Sequence, residues 1–307
     1  MLRFALLRTL SAIPTLLLVI VVAFIMVRAA PGGPFADQRV LPPDTASNLA
    51  AAYHLDESLP QQFWRYLSGL ARGDLGPSYH YRDYSVAELI GNAVPVSLLL
   101  GALSMLLALL VGGAAGIAAA LRRNTWFDRG ITALAMTGIS VPVFVVAPLF
   151  VLIFAVWLQW LPASWSGGNG LQRLVLPVIA LALPQVAYIA RLVRGSLIEV
   201  LSSDYIRTAR AQGLATTSIL RYHALKPALM PLVSYLGPAA AAVLTGAVVV
   251  ESIFGIPGLG QLFLQSGLNR DYTLVLGIVI FYAVLVILLN LLVDLAYGVL
   301  DPRIRER

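Results

Sequence analysis

The chain contains no cysteine, which excludes a disulfide framework and any cysteine-ligated metal site. It has one lysine, Lys226, preceded by Leu225. A phosphate-binding P-loop needs a Gly-x4-Gly-Lys-Ser/Thr run, so that backbone amides and the lysine can hold phosphates. The lone lysine rules that run out. The three histidines, His54, His80 and His223, are scattered, none at metal-ligand spacing, and no metal site is expected. No serine or aspartate forms an evident nucleophile–base pair, so an enzyme such as an intramembrane protease has no support. Charge is scarce as well: 12% of the 307 residues are Asp, Glu, Lys or Arg, about half the share usual in a soluble domain.

What the chain has instead is apolar residues, 59% of the total, collected in long blocks. A bilayer-spanning helix needs roughly 20 mostly apolar residues. Six blocks reach or approach that length: Thr9–Val27, Val94–Leu121, Ile131–Trp157, Leu174–Leu192, Leu232–Ile253 and Leu274–Leu300. Inside a bilayer only helices and closed barrels satisfy their own backbone. A barrel strand would alternate in character over about 10 residues, which these blocks do not. The expected fold is an all-α integral membrane protein with six transmembrane helices, organised as one transmembrane domain over 1–307.

The net charge of +6 invites a nucleic-acid reading, but the basic residues sit between apolar blocks and not on one soluble face, so no nucleic acid is expected. They read as topology signals. Arg3 and Arg8 precede the first block, and Arg122, Arg123 and Arg129 follow the second. Arg191, Arg194, Arg207, Arg210, Arg221 and Lys226 follow the fourth, and Arg303, Arg305 and Arg307 follow the sixth. These fourteen of the 21 basic residues fall on one side, which places both termini in the cytoplasm. The first block is longer than a signal-peptide core of 7–15 residues, so it is read as an uncleaved helix.

One larger segment, about 31–92, then faces the periplasm. It is rich in Pro, Gly and acids, with short helices expected at Thr45–Tyr53 and Leu59–Ala71. It can serve as a cap on the helices, as a docking surface for a delivery protein, or as both. Pro142 and Pro148, Pro177 and Pro184, and Pro231 and Pro238 fall in or beside the third, fourth and fifth spans, where proline kinks helices. Gly255, Gly258 and Gly260 lack nucleotide-binding spacing and a preceding strand, and read as a tight turn after the fifth span.

The cytoplasmic loop of about 193–230 carries the most information. Ser202, Ser203 or Asp204 can cap a helix start, and Gly213 can close that helix in the left-handed conformation. Thr216 or Thr217 can cap a second short helix, which Pro227 ends or kinks. A short surface helix tied to two spans acts as a lever on both. Small residues at Thr208, Ala209 and Ala211 would let a partner approach closely.

This loop resembles the cytoplasmic loop of binding-protein-dependent ABC importer permeases, whose general form is Glu-Ala-Ala, three residues, Gly, nine residues, Ile-x-Leu-Pro. Arg207-Thr208-Ala209 stands at the Glu-Ala-Ala position and Gly213 at the glycine, and nine residues later comes His223-Ala224-Leu225-Lys226-Pro227. The missing Glu and the extra residue before the proline depart from the general form and agree with the peptide-importing branch, in which Gln212 replaces a usual lysine. Arg28-Ala29-Ala30-Pro31-Gly32, Gly73-Asp74-Leu75-Gly76-Pro77-Ser78, Glu251-Ser252-Ile253-Phe254-Gly255-Ile256-Pro257-Gly258 and Leu268-Asn269-Arg270-Asp271-Tyr272 also resemble oligopeptide permease B-type subunits, so the likeness spans the chain.

The resemblance implies a non-catalytic subunit of a bacterial inner-membrane importer. It implies a homologous second permease, two ATPase subunits that bind ATP and Mg, and an extracytoplasmic binding protein that delivers peptide. This chain itself is expected to bind no cofactor. Asp204, Tyr205, Arg207, Thr208, Ala209, Arg210, Gly213, Leu214, His223, Leu225, Lys226 and Pro227 become the candidate ATPase-coupling residues. Asp294, with Asn290 one turn away, and Glu251 are polar groups in apolar spans, where a charge costs about 2.5–3.5 kcal/mol on insertion scales. They are either polar locks between helices or contacts along a translocation path. Import of dipeptides, nickel or glutathione is the alternative within the family. An ion-driven secondary transporter is the alternative outside it.

Overall fold

The computed structural model describes residues 2–30, 51, 54–81, 83–167 and 170–300, with side chains described from Leu10 to Leu295. The expected helix at Thr45–Tyr53 and the arginines at 303, 305 and 307 lie outside the described residues. The helices are α1 (Leu2–Ala29), α2 (Leu59–Leu70), α3 (Val86–Leu121), α4 (Trp126–Ser140), α5 (Val143–Trp157), α6 (Gln172–Leu201), α7 (Asp204–Ala211), α8 (Thr216–Phe254), α9 (Leu259–Leu268) and α10 (Tyr272–Leu300). The described residues contain no strand, only an isolated bridge between Pro77 and Ser85.

Five helices, α1, α3, α6, α8 and α10, are long and apolar enough to cross a membrane. The bent pair α4–α5 makes a sixth crossing if it counts as one span. The unbroken third block expected from the sequence is therefore corrected: it breaks at Val141–Pro142 with a bend of 102°. Pro142 lacks a donor and pushes the preceding residue out of the helical region, and Val141 is extended at φ −87° and ψ 119°. The prolines inside α6 and α8 leave those helices unbroken. Three wide π-turns, at Ala108–Gly112, Val151–Trp157 and Ile219–Ala224, sit within α3, α5 and α8.

The contacts group the chain into two compact units: one of Met1–Arg8, Leu98–Ile256 and Val286–Arg307, the other of Thr9–Ser97 and Pro257–Leu285. In the first unit α6 is the hub, packed against α3, α4, α5 and α8. Glycines let its neighbours come close. A Cβ at Gly112 would sit 2.7 Å from the Val186 carbonyl oxygen, and one at Gly116 would sit 2.6 Å from that of Ala190. One at Gly138 of α4 would lie 3.0 Å from the Ala187 Cβ. Because lipid gives helices no hydrophobic drive to associate, such small-residue contacts carry much of the packing.

In the second unit the organising group is Asp271, fully buried just before α10. Its carboxylate accepts from the Ser78 hydroxyl and from the backbone N–H groups of Tyr79 (3.1 Å), His80 (3.2 Å) and Leu274 (3.2 Å), and from the Thr273 hydroxyl (3.1 Å). One side chain thus caps α10 and fixes the turn at Ser78–His80. The Leu259 N–H at the start of α9 donates to the buried Ser97 hydroxyl at 2.8 Å.

The glycine contacts give a paired test. Gly116→Ala forces the α3–α6 backbones apart, and overpacking of this kind costs about 1–3 kcal/mol. Gly113→Ala meets nothing within 4 Å and exchanges glycine for a better helix former. In detergent melts the first variant is expected to lose several degrees and the second to match or exceed the parent.

Candidate functional site

α7 is an eight-residue helix between the two longest-packed spans of the first unit. Ser203 holds the N-cap position in extended conformation, but its hydroxyl donates backward to the Val200 carbonyl at 2.6 Å and makes no side-chain cap. Asp204 adds a carboxylate in the first turn and Arg210 a cation in the last, both favourable to the helix dipole. Gly213 ends the helix at φ +79°. Its N–H donates to the Arg210 carbonyl at 3.0 Å and the Leu214 N–H to the Ala209 carbonyl at 3.3 Å, the paired bonds of a Schellman motif.

Two faces follow from the spacing. Ile206 (0% exposed) and Ala209, three residues apart, point inward and join Leu197 of α6, Ala120 of α3, and Ile219, Ala224 and Ala228 of α8 in one apolar cluster. Tyr205, Arg207, Thr208, Arg210 and Ala211 are exposed on the outward face. This corrects one expectation: Ala209 packs on the chain's own core, while Thr208 and Ala211 are exposed. Arg207 reaches Asp204 at 3.1 Å in an exposed pair.

The second short helix capped by Thr216 or Thr217 and ended by Pro227 does not form. Ala215 takes the N-cap position, and Thr216–Phe254 runs as one span. Pro227 lies two residues into the α-helical part that starts at Leu225, directly after the wide turn Ile219–Ala224, and the helix continues through it. His223, Lys226 and Pro227 are exposed there, and Leu225 is half-buried. Leu214 is exposed beyond the helix end.

An ion pair braces the wall behind this cluster. Asp128, in the first turn of α4, is 2% exposed. It accepts from Arg194 Nε at 2.5 Å and Nη2 at 2.8 Å, a bidentate fork from the face of α6. It also accepts the Asn124 N–H at 2.9 Å, and Asn124 turns at φ +66°. The sequence reading took Arg194 only as a topology signal and did not single out Asp128. The Thr125-x-x-Asp128 spacing, a capping arrangement after an arginine pair, was the available sign. Gly112-x-x-x-Gly116 was likewise visible as a small-residue helix contact.

Of the polar groups in spans, Glu251 is fully enclosed on α8 and does not face an open path in this structure. Asn290 on α10 is exposed, donates to the Val286 carbonyl at 3.0 Å, and sets its carboxamide oxygen against Gly237 of α8. Asp294 is half-buried one turn further on. The turn after the fifth span forms as expected: Gly255 caps α8 at φ +63°, and Gly258 takes the N-cap of α9. Among the described residues no three His, Asp or Glu side chains gather at a metal-binding distance.

Close-packed helices, five of them long and apolar enough to cross a membrane, define a multi-pass membrane protein. Comparison with known proteins makes this particular. The chain belongs to the family described as binding-protein-dependent transport system inner membrane component, which matches residues 112–306, and its N-terminal companion description matches residues 1–98. It is a non-catalytic permease subunit, multi-pass in a bacterial inner membrane. It is 51% identical over 305 residues to the oligopeptide transport system permease protein OppB of Salmonella typhimurium, covering 99% of this chain and 100% of that one. It is 48% identical over 306 residues to OppB of Haemophilus influenzae, covering 99% of this chain and 100% of that one. It is 42% identical over 306 residues to the dipeptide transport system permease protein DppB of Bacillus subtilis, covering 99% and 98%. Among solved structures, an inward-facing MetNI methionine ABC transporter matches with a TM-score of 0.60 at 21% identity, over 69% of this chain and 96% of that one, and shows a shared fold.

The brace predicts a non-additive pair. Arg194→Leu strands a buried carboxylate, at a cost of about 3–5 kcal/mol. Adding Asp128→Asn removes that charge and is expected to recover part of the loss. Thermal melts of the two single variants and the double variant measure the coupling.

Proposed function

We propose that this chain is one membrane-spanning permease of an ATP-driven, binding-protein-dependent importer of oligopeptides, and that α7 is its coupling helix. The observation that carries the assignment of α7 is its division into two faces. Ile206 and Ala209 are locked into a core shared by α3, α6 and α8, while Tyr205, Arg207, Thr208, Arg210 and Ala211 stand free to meet a partner. The names of the relatives support the oligopeptide reading. The dipeptide relative keeps dipeptide import as the second reading, ahead of nickel or glutathione.

In this reading the chain crosses the membrane six times, α4 and α5 together forming one crossing. Both termini and α7 are cytoplasmic, and the segment 31–92 is periplasmic. The arginine distribution supports that orientation. A homologous second permease, two ATPase subunits and an extracytoplasmic peptide-binding protein complete the assembly. ATP and Mg sit on the ATPase subunits, and this chain holds no cofactor. When the ATPases close, they push on the outward face of α7, and Ile206 and Ala209 pass the load to α6 and α8. Asn290 and Asp294 are the candidate path contacts.

Two substitutions test the coupling. Arg207→Glu reverses charge on the outward face, and Gly213→Pro forbids the φ of +79° that ends the helix. Each is expected to insert normally and to cut ATP-driven peptide uptake at least tenfold in reconstituted vesicles. Normal uptake in both would remove α7 from the mechanism. Recovery of a second permease and ATPase subunits with the tagged chain, with hydrolysis stimulated by peptide-loaded binding protein, tests the assembly. A chain that purified alone and moved substrate on an ion gradient would overturn it.

A further inference from the structure

In the second unit, α1, α2, the turn around Asp74–Pro77 and the start of α10 enclose a cavity of about 330 Å3. Three polar atoms on its lining residues are buried without a hydrogen-bond partner: Arg28 Nε, Gln62 Oε1 and the Tyr66 hydroxyl. Leaving such groups buried and unpaired is unfavourable, so an occupant that satisfies them is favoured.

The chemistry of each is fixed by its surroundings. Gln62 is 8% exposed, and its amide nitrogen is spent on the Leu55 and Glu57 carbonyls at 3.2 and 2.8 Å, which leaves Oε1 as a pure acceptor. Arg28 lies 5.5 Å from the centre of the Phe24 ring and 5.7 Å from that of Tyr272, and it makes no ion pair among the described residues. Burial pushes the Tyr66 phenol up, so it stays a neutral donor. The remaining charges nearby are committed. Glu57 pairs with Arg65 and with His54, and Arg65 holds its carboxyl below the usual range. Asp74 receives the Gly76 N–H on one oxygen, at 2.8 Å, and keeps the other. Arg28, Arg65, Glu57 and Asp74 sum to zero, with a cation available at one place and acceptors at another. That pattern fits a zwitterion.

Depth identifies the source. Arg28 falls in the last turn of the membrane-crossing window Leu10–Ala29, at the level where a bilayer presents its headgroups and where aromatic residues gather. Trp64 of α2, next to Arg65 in sequence, is 70% exposed. We propose that this cavity binds the headgroup of a zwitterionic phospholipid that carries a primary amine, with Arg28 and Tyr66 donating to the phosphate and Gln62 Oε1 and Asp74 accepting from the ammonium. The proposal rests on the membrane reading of α1 but not on transport or on a partner.

The test is native mass spectrometry of the full chain in its purified complex, delipidated and titrated separately with phosphatidylethanolamine, phosphatidylcholine and phosphatidylglycerol. One phosphatidylethanolamine is expected to stay bound at a concentration at least tenfold below the other two. Arg28→Gln is expected to abolish that preference, and Arg28→Lys to restore part of it. Unaltered protein provides a second readout: phosphatidylethanolamine raises the melting temperature and phosphatidylcholine does not. Equal retention of the three lipids, or an unchanged preference in Arg28→Gln, would overturn the proposal. Displacement of the lipid by a saturating tripeptide would also overturn it and assign the cavity to peptide. Loss of uptake in the α7 variants leaves every one of these readouts intact.

Discussion

The first unit depends on how closely α3 approaches α6. At Gly112 and Gly116 the two helices meet backbone to backbone, with the Val186 and Ala190 carbonyls where side chains would otherwise stand. A bilayer supplies no hydrophobic gain for pressing helices together, since lipid tails are as apolar as leucine. Contact must come from dispersion, and dispersion falls away within a fraction of an ångström of misfit. The two glycines set that distance. One and four residues past Gly116, Ile117 and Ala120 reach the apolar cluster under α7. The height of the socket is therefore fixed by the helix contact above it.

α7 could not exist without that socket. Eight residues are too few for a stable isolated helix in water, because nucleation is costly and few bonds repay it. The exposed Asp204–Arg207 pair adds about 0.3–0.5 kcal/mol at most. Full burial of Ile206 contributes about 1.5–3 kcal/mol by area, and the Schellman bonds at Gly213 close the end. Helix and socket form together or not at all, so a load on Tyr205 or Arg207 meets a stiff element seated on three spans. The Asp128–Arg194 fork ties the start of α4 to α6, so α4 moves with the hub.

Much of this was legible in the sequence. Apolar block length marked the five long helices but not the break in the third block, because the bilayer sets helix length with little regard to tertiary context. Ser203 and Gly213 marked the two ends of α7 within a residue, since those positions are set locally by the backbone. Direction was not legible. Whether Ala209 faced a partner or the chain's own core depends on where α3, α6 and α8 stand, and no local spacing encodes that. The second misreading has the same origin. Pro227 reads as a breaker by its chemistry, yet the chain stays helical through it, directly after the wide turn Ile219–Ala224. Asp271 shows a third kind of limit. Three of its five donors, Ser78, Tyr79 and His80, come from nearly two hundred positions away, and no motif announces such a meeting.

The continuity of α8 ties α7 directly to the helix that follows it. A helix that ended at Pro227 would isolate α7 from the fifth span and leave any push to be absorbed at a hinge. Instead Thr216–Phe254 is one helical stretch of 39 residues, about 58 Å at 1.5 Å per residue, more than the thickness of a bilayer with its headgroups. Ile219, Ala224 and Ala228 sit both in this helix and in the socket of α7, so displacement of α7 is displacement of the base of α8. The wide turn Ile219–Ala224 is the softer place along it, since its bonds are longer-ranged and its packing looser than those of an α-helix. Pro231 and Pro238 remove two further ladder bonds a little higher up. The wide turn and both prolines thus fall between Ile219 and Pro238, and the stretch from Ala239 to Phe254 is uninterrupted α-helix.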